Sequence, residues 1–209
     1  KSTSVGLGLY DVLIIGAGAV GSYAAYRLSA LGHRVAVLEE HGEIGQPACC
    51  TGLISKECVE RFHVPQGLVL KVANSAKLFA PSGDSLRLWK DGVQAYVVER
   101  AGFDAAWARK AQGEGAEVLL NSRAKGIEVL GDRVRVDIEQ GKETHLEGKI
   151  AVIASGFSPG FLRRIGLGQG GDFIMGAQTE VDINGVDEIE IYLGQEIAPG
   201  FFAWLVPIS

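Results

Sequence analysis

The sequence predicts an α/β chain: a three-layer nucleotide-binding core with a parallel sheet, followed by the first strands of a second, mixed sheet. Three observations carry this. Two strand-length apolar runs, Tyr10 to Ile15 and Arg34 to Leu38, flank a helical repeat in which Ala24, Ala25, Leu28 and Leu31 recur at three- and four-residue spacing. A glycine turn, Gly16-Ala17-Gly18-Ala19-Val20-Gly21, joins the first run to that helix. Further along, the pattern changes to short strands separated by turn residues. Of 209 residues 29 are glycine and 6 proline, with no three-residue glycine period, which excludes a collagen-like chain. An apolar content of 47% excludes global disorder.

Taken in order, Tyr10 to Ile15 reads as a buried parallel strand because it is nearly all apolar. A helix is predicted over Ser22 to Ala30, with Gly32 as its C-terminal cap. Arg34 to Leu38 is the second strand and ends at Glu39-Glu40. Residues 41 to 52 gather Gly, Pro and Cys and read as a long loop, and Ile54 to Phe62 as a short helix. Leu68 to Arg100 reads as strands with turns at Pro81-Ser82-Gly83-Asp84 and Asp91-Gly92. A helix over Ala105 to Gln112 is closed by Gly113 or Gly115. Strands follow at Val118 to Leu120, Ala124 to Leu130, Arg133 to Ile138 and Lys142 to Ile153, with hairpin turns at Gly131-Asp132 and Gln140-Gly141. Gly166 to Gly171, four glycines in six positions, reads as a linker. Phe173 to Val181, Glu188 to Leu193 and Phe202 to Val206 are expected to begin the second sheet. This divides the chain into a nucleotide-binding domain at 1–165, with a strand-rich excursion at about 68–98 belonging to the other side, and the start of a second sheet at 166–209.

The bulk numbers exclude several classes. A net charge of -5 with no basic stripe beyond Arg163-Arg164 argues against a nucleic-acid partner. No apolar run has the length of a membrane-spanning helix, and the first residues do not read as a signal peptide. Cys49, Cys50 and Cys58 fall within ten residues and form no disulfide framework, so a reducing, cytoplasmic setting is expected. His33, His41, His63 and His145 lack zinc spacing, and no metal site is expected.

Gly16-x-Gly18-x-x-Gly21 fits the dinucleotide fingerprint, and its context supports it: an apolar strand before, a helix after. The first glycine allows the tight turn, the second lets a pyrophosphate approach the backbone, and the third lets helix and sheet close up. The phosphates then meet free N–H groups at the positive end of the helix dipole. Glu39, 18 residues after Gly21, stands where an acid accepts ribose hydroxyls, with Glu40 beside it as a second, more solvated carboxylate. The motif leaves FAD and NAD(P) both open. An acid at this place disfavours a phosphorylated ribose, because like charges would meet.

Four segments resemble the geranylgeranyl reductase family of flavoproteins, within the larger group similar to para-hydroxybenzoate hydroxylase. They are Asp11 to Gly21 with Glu39; Gly45-Gln46-Pro47-Ala48-Cys49-Cys50-Thr51-Gly52-Leu53-Ile54-Ser55, similar to a Pro-x-x-Cys-x-Gly-Leu segment; Tyr96-Val97-Val98-Glu99-Arg100 with Phe103-Asp104; and Glu188 through Pro207, similar to a Tyr-x-Trp-x-Phe-Pro signature. Phe202 replaces the signature tyrosine and Val206 its phenylalanine, and Ala154-Ser155-Gly156 stands where relatives carry Ala-Asp-Gly or Ala-Thr-Gly. The family runs well past Ser209, so the resemblance implies that this chain corresponds to an N-terminal portion.

The resemblance implies a Rossmann-like FAD-binding domain and part of a substrate-binding sheet. It implies that the backbone of Gly16, Ala17, Gly18, Ala19, Val20 and Gly21 meets the pyrophosphate, and that Glu39 and Glu40 face the adenosine ribose. It further implies a charged contact from Arg100 to the cofactor, backbone of Ala124 toward the adenine, and a course of Ala154, Ser155 and Gly156 close to the ADP. By the same resemblance Cys50 and Thr51 are expected near the flavin ring, Cys50 as the one catalytic candidate, and no role is expected for Cys49. Phe202, Trp204 and Pro207 line an apolar tunnel for a prenyl chain. The implied activity is FAD-dependent reduction of carbon–carbon double bonds in a geranylgeranyl or other isoprenoid chain. For the electron donor NAD(P)H and reduced ferredoxin both stay open, and a lipid substrate would bring peripheral membrane contact. An aromatic monooxygenase of the same superfamily and a nucleotide-binding fragment without turnover are the alternatives.

Overall fold

The computed structural model describes residues 8–48, 50–168 and 171–208, the side chains of 142 and 143 excepted. Along the chain lie β1 (Tyr10–Ile15), α1 (Ala19–Ala30), β2 (Val35–Leu38), β3 (Leu53–Ser55), α2 (Lys56–Phe62), β4 (Val69–Ala73), β5 (Ser75–Phe79), β6 (Ser85–Trp89) and β7 (Ala95–Val98). There follow α3 (Arg100–Gly113), β8 (Glu117–Leu119), β9 (Arg123–Leu130), β10 (Arg133–Gln140), β11 (Lys142–Ile153), α4 (Pro159–Arg164), β12 (Ile189–Leu193) and β13 (Phe202–Leu205). They form two compact units: residues up to Pro47 with Ala101–Gly171, and Ala48–Arg100 with the residues from Asp172 on.

In the first unit, apolar runs become strands buried on both faces. The sheet order is β8-β2-β1-β11-β10-β9. The second half of β11 pairs parallel with β1, and its first half turns antiparallel against β10, so one long strand links the parallel sheet to a three-stranded meander. Ile15, Ala36 and Leu38 pack with Val136, Ile138 and Leu146 of the meander. Val12, Ile14, Val35 and Val37 pack on the other side with Ala25 of α1 and Ala111 of α3. The result is three layers, meander, sheet and helices, as the sequence predicts. At the end of α1, Gly32 adopts φ +85°, donating to the Ser29 carbonyl while His33 donates to that of Leu28. This is a Schellman end, which a side chain at Gly32 would strain.

The second unit holds two sheets. One is mixed, in order β13-β12-β5-β6, with β12 parallel to β5 and its other pairs antiparallel. The other, β3-β7-β4, is antiparallel throughout. Register places Leu78, Leu86, Ile191 and Trp204 on one face of the mixed sheet and Lys77, Arg87 and Glu190 on the other.

Several expectations need correction. Helix α1 begins at Ala19 rather than Ser22, because the last glycine of the turn already belongs to the first helical turn. Helix α3 begins at Arg100 rather than Ala105, running through Gly102. The predicted helix over Ile54 to Phe62 is split. Residues up to Ser55 pair with β7, and the Ser55 hydroxyl caps α2 by accepting from the Cys58 N–H at 3.1 Å. Phe173 to Val181 forms no strand. Its residues have strand propensity, but no ladder receives them: its neighbourhood in the mixed sheet ends at β13. Helix α4, opened by Pro159 at its first turn, was not anticipated. Of the predicted linker, residues 169 and 170 lie outside the described residues.

Candidate functional site

The glycine turn is built by its neighbours in the first unit. The Gly16 N–H donates to the Leu38 carbonyl at 2.8 Å, and the Ala154 N–H donates to that of Ile15 at 2.8 Å. The turn is thereby tied to the ends of both flanking strands. Gly16 takes φ +103°, and a Cβ there would lie 2.5 Å from the Ala154 carbonyl oxygen. A Cβ at Gly21 would overlap the Gly16 carbonyl oxygen. Both glycines are therefore required by the chain's own packing.

Gly18 differs. Its φ is -66°, ordinary for any residue, and apart from its chain neighbours no described residue comes within 4 Å of where its Cβ would be. It is the N-cap of α1 and offers no capping side chain, and the first turn carries no acid. One turn into the helix, the Ser22 hydroxyl donates to the Ala17 carbonyl at 2.8 Å. The helix start thus keeps N–H groups, the positive end of a dipole and an open approach over Gly18, a cradle that suits a pyrophosphate.

Glu39 stands at the end of β2 with a largely buried carboxylate. Its Oε2 accepts the Ala17 N–H at 2.9 Å, and its Oε1 accepts the His41 N–H at 3.0 Å and lies 2.7 Å from His41 Nδ1. The acid and the glycine turn are one hydrogen-bonded unit. Glu40 points elsewhere, its Oε2 3.2 Å from Arg123 Nε. Ala154 lies against Gly16 and Gly21. Ser155 shares a 2.5 Å hydroxyl hydrogen bond with Ser158 just before α4, and Gly156 has open space where its Cβ would be. Ala124, opposite Ile138 in the meander, packs against the apolar cluster of β1. The residues brought together here are thus Gly16 to Gly21, Glu39 and Ala154; His41 was missed, though an imidazole two residues past the strand-end acid is a readable signal.

In the second unit, Cys50 is a half-buried free thiol, Thr51 follows it, and Arg100 opens α3; Cys49 lies outside the described residues. Phe202 and Trp204 lie two apart on β13 with ring centroids 6.0 Å apart, and Phe201 stacks on Phe202 at 4.2 Å. Pro207 lines a small, open pocket with Lys71, Asn74, Ser75 and Glu188. Hydrogen bonds from Ser75 and then Arg87 hold the Glu188 carboxyl down at about 2, with Lys77 at 3.3 Å adding to them. On the sheet's polar face the Tyr192 hydroxyl donates to Glu190 at 2.5 Å, which raises the tyrosine. Among the described residues no group of three or more His, Cys, Asp or Glu could hold a metal ion.

The family model of FAD dependent oxidoreductases matches residues 11–97. The chain is 32% identical, over 95% of its length, to the digeranylgeranylglycerophospholipid reductase of Methanocaldococcus jannaschii and likewise to that of Methanosarcina mazei. It spans about half the length of these relatives, 53% and 51%. A geranylgeranyl bacteriochlorophyll reductase-like structure from Thermoplasma acidophilum superposes on 96% of the chain and 54% of its own, with a TM-score of 0.80 and 26% identity. The chain is thus similar to FAD-dependent oxidoreductases and to geranylgeranyl reductases, its fold is Rossmann-like as in these flavoproteins, and the cofactor the comparisons support is FAD.

Proposed function

We propose that this chain, similar to FAD-dependent oxidoreductases, is part of an enzyme that reduces carbon–carbon double bonds in an isoprenoid chain borne by a lipid. The observation that carries the reading is the similarity to digeranylgeranylglycerophospholipid reductases along nearly the whole chain. The open approach over Gly18 and the buried Glu39 beside it support the same reading from the cofactor side.

In this proposal the N–H groups at the start of α1, from Gly18 through Gly21, hold the pyrophosphate, and Glu39 accepts from the adenosine ribose. Ala154, Ser155 and Gly156 run past the ADP, Ala124 offers backbone to the adenine, and Arg100 supplies a charged contact. Glu40 is a weaker candidate, since Arg123 already pairs with it. The chemistry that a reduced flavin supplies when bound is a hydride for one carbon of an isolated alkene, the other carbon taking a proton. Phe202, Trp204 and Pro207 give the prenyl chain an apolar seat, and holding a poorly electrophilic alkene in position is the protein's main contribution. Cys50 is the candidate thiol beside the reacting groups, and NAD(P)H or a reduced ferredoxin is the electron source. No helix of the described residues is long and apolar enough to cross a membrane, and a lipid substrate calls for peripheral contact.

The test is an anaerobic incubation of the full-length protein with FAD, dithionite and digeranylgeranylglycerophospholipid, read by mass spectrometry. Products heavier by two hydrogens per reduced double bond support the reading. A preparation that takes up no FAD, or a product that forms only with oxygen and carries a new hydroxyl, overturns it.

A further inference from the structure

The His41 ring is the polar contact to Glu39 that the proposed cofactor site does not use. A carboxylate offers about four acceptor positions, and three on Glu39 are engaged within the chain: by the Ala17 N–H, the His41 N–H and, at 2.7 Å, His41 Nδ1. A ribose that donates both hydroxyls needs two. The Ala17 and His41 N–H groups are backbone, and the loop at His41 is pinned where the Asn121 N–H donates to the His41 carbonyl at 3.0 Å. The imidazole is different: its side chain is 47% exposed, against 12% for Glu39. It is the donor that can leave without disturbing the fold.

We infer that the His41 ring occupies part of the ribose seat on Glu39 and must swing away for FAD to bind, so that protonation of His41 opposes cofactor binding. This rests on the reading of Glu39 as the ribose carboxylate. Histidine is the side chain that ordinarily changes charge between pH 5 and 8. A neutral ring with its proton on Nδ1 already donates a charge-assisted hydrogen bond to the Glu39 carboxylate, and the cation adds the attraction of opposite charges to it. The other charged groups nearby are Glu40, held by Arg123 of β9, and Glu43 farther along the loop; the first turn of α1 brings no acid. The pyrophosphate of FAD is a diester and keeps its charge through this range. The sign follows: affinity is highest where the ring is neutral and falls as acid charges it, and by linkage FAD binding releases a proton.

The experiment is the FAD dissociation constant of the full chain, read by flavin fluorescence at about pH 8 and about pH 5.5, the range in which histidine titrates. The wild type, His41→Gln, His41→Ala and Glu39→Gln are compared, with thermal unfolding of each as the check on folding. The wild type should weaken on the order of tenfold from the higher to the lower pH, within the usual span of coupling between sites. His41→Gln and His41→Ala should bind almost independently of pH, and at the higher pH at least as tightly as the wild type. A wild type that shows no pH dependence, or a His41→Gln protein that keeps it, overturns the inference. So does a uniform loss at both pH values in folded His41 variants, which would make the ring a support for Glu39 rather than a competitor. Glu39→Gln separates the two readings. If it binds FAD as well as the wild type does, the assignment of Glu39 fails. If it binds poorly while the wild type is flat with pH, only the role of His41 fails.

Discussion

The parallel sheet of the first unit and the mixed sheet of the second are made of similar residues with different outcomes. Leu13 and Ile14 are 0% exposed, because the meander covers one face of their sheet and α1 and α3 the other. Leu86 and Leu88, on the face of the mixed sheet that also carries Leu78 and Trp204, are 59% and 51% exposed. Burial is thus a property of the layer that covers a strand and not of the strand's own composition. The first sheet is a sealed scaffold on which a turn can be held rigidly. The second presents an apolar face, the kind of surface that serves recognition.

The comparison can be broken at its most rigid point. Gly21→Ala forces a Cβ into the Gly16 carbonyl, where backbone and not a flexible side chain must yield. It should cost about 3 kcal/mol or more, as overpacking with backbone strain does; a urea or thermal melt matching the wild type would refute the tight turn. Next, Leu13→Ala should lose about 3–5 kcal/mol, the usual range for a fully buried leucine. Leu88→Ala should stay within about 0.5 kcal/mol, as exposed substitutions do. Equal losses in chemical denaturation would erase the contrast between the sheets.

Gly18→Ala sharpens the contrast within the turn itself. The chain leaves the site open, so stability should change by no more than about 1 kcal/mol, the scale of an N-cap substitution. FAD affinity should fall about tenfold, the equivalent of about 1.4 kcal/mol, as the methyl group stands between phosphate and backbone. A loss of stability without a loss of affinity, measured by melting and flavin fluorescence, would reverse the roles assigned to the three glycines.

The smallest effect concerns Glu188 and acid. Its carboxyl is held at about 2, well below the 4.5 ordinary for a glutamate, first by Ser75 and then by Arg87. A depressed folded value stabilises above the unfolded one and is lost as pH falls through it. The contribution is therefore full above about 4.5 and declines toward 2. Glu188→Gln should flatten that part of the acid-unfolding curve, followed by circular dichroism, and leave the neutral range nearly unchanged.

Much of the fold was readable because it is local. β11 matches its predicted bounds, Lys142–Ile153, since alternation and a flanking Gln140-Gly141 turn mark it. The glycine turn and Glu39 were readable for the same reason: strand, turn and helix follow one another in the chain. What failed was non-local or masked by composition. Phe173 to Val181 has strand-forming residues and no ladder to join. α1 and α3 run through Gly21 and Gly102, where packing outweighs a propensity cost of about 1 kcal/mol, so both helices start earlier than the apolar spacing alone predicts. His41 lacks zinc spacing, and its value lies instead in a local contact with Glu39 two residues before it.

The sequence by itself determined the apolar runs, the spacing of the three glycines and the acid at the end of the second strand, because these depend on residues within about one helix of each other. The tertiary structure decided which glycines the chain itself requires, since only the approach of Ala154 and the Gly16 carbonyl makes Gly16 and Gly21 necessary and leaves Gly18 free. It decided that β12 lies parallel to β5 from a distant part of the chain, which no local pattern specifies. It also decided that the carboxylate of Glu39 is shared between the turn and an imidazole, because the hydrogen-bonding capacity of a buried group is divided among whatever neighbours the fold brings to it.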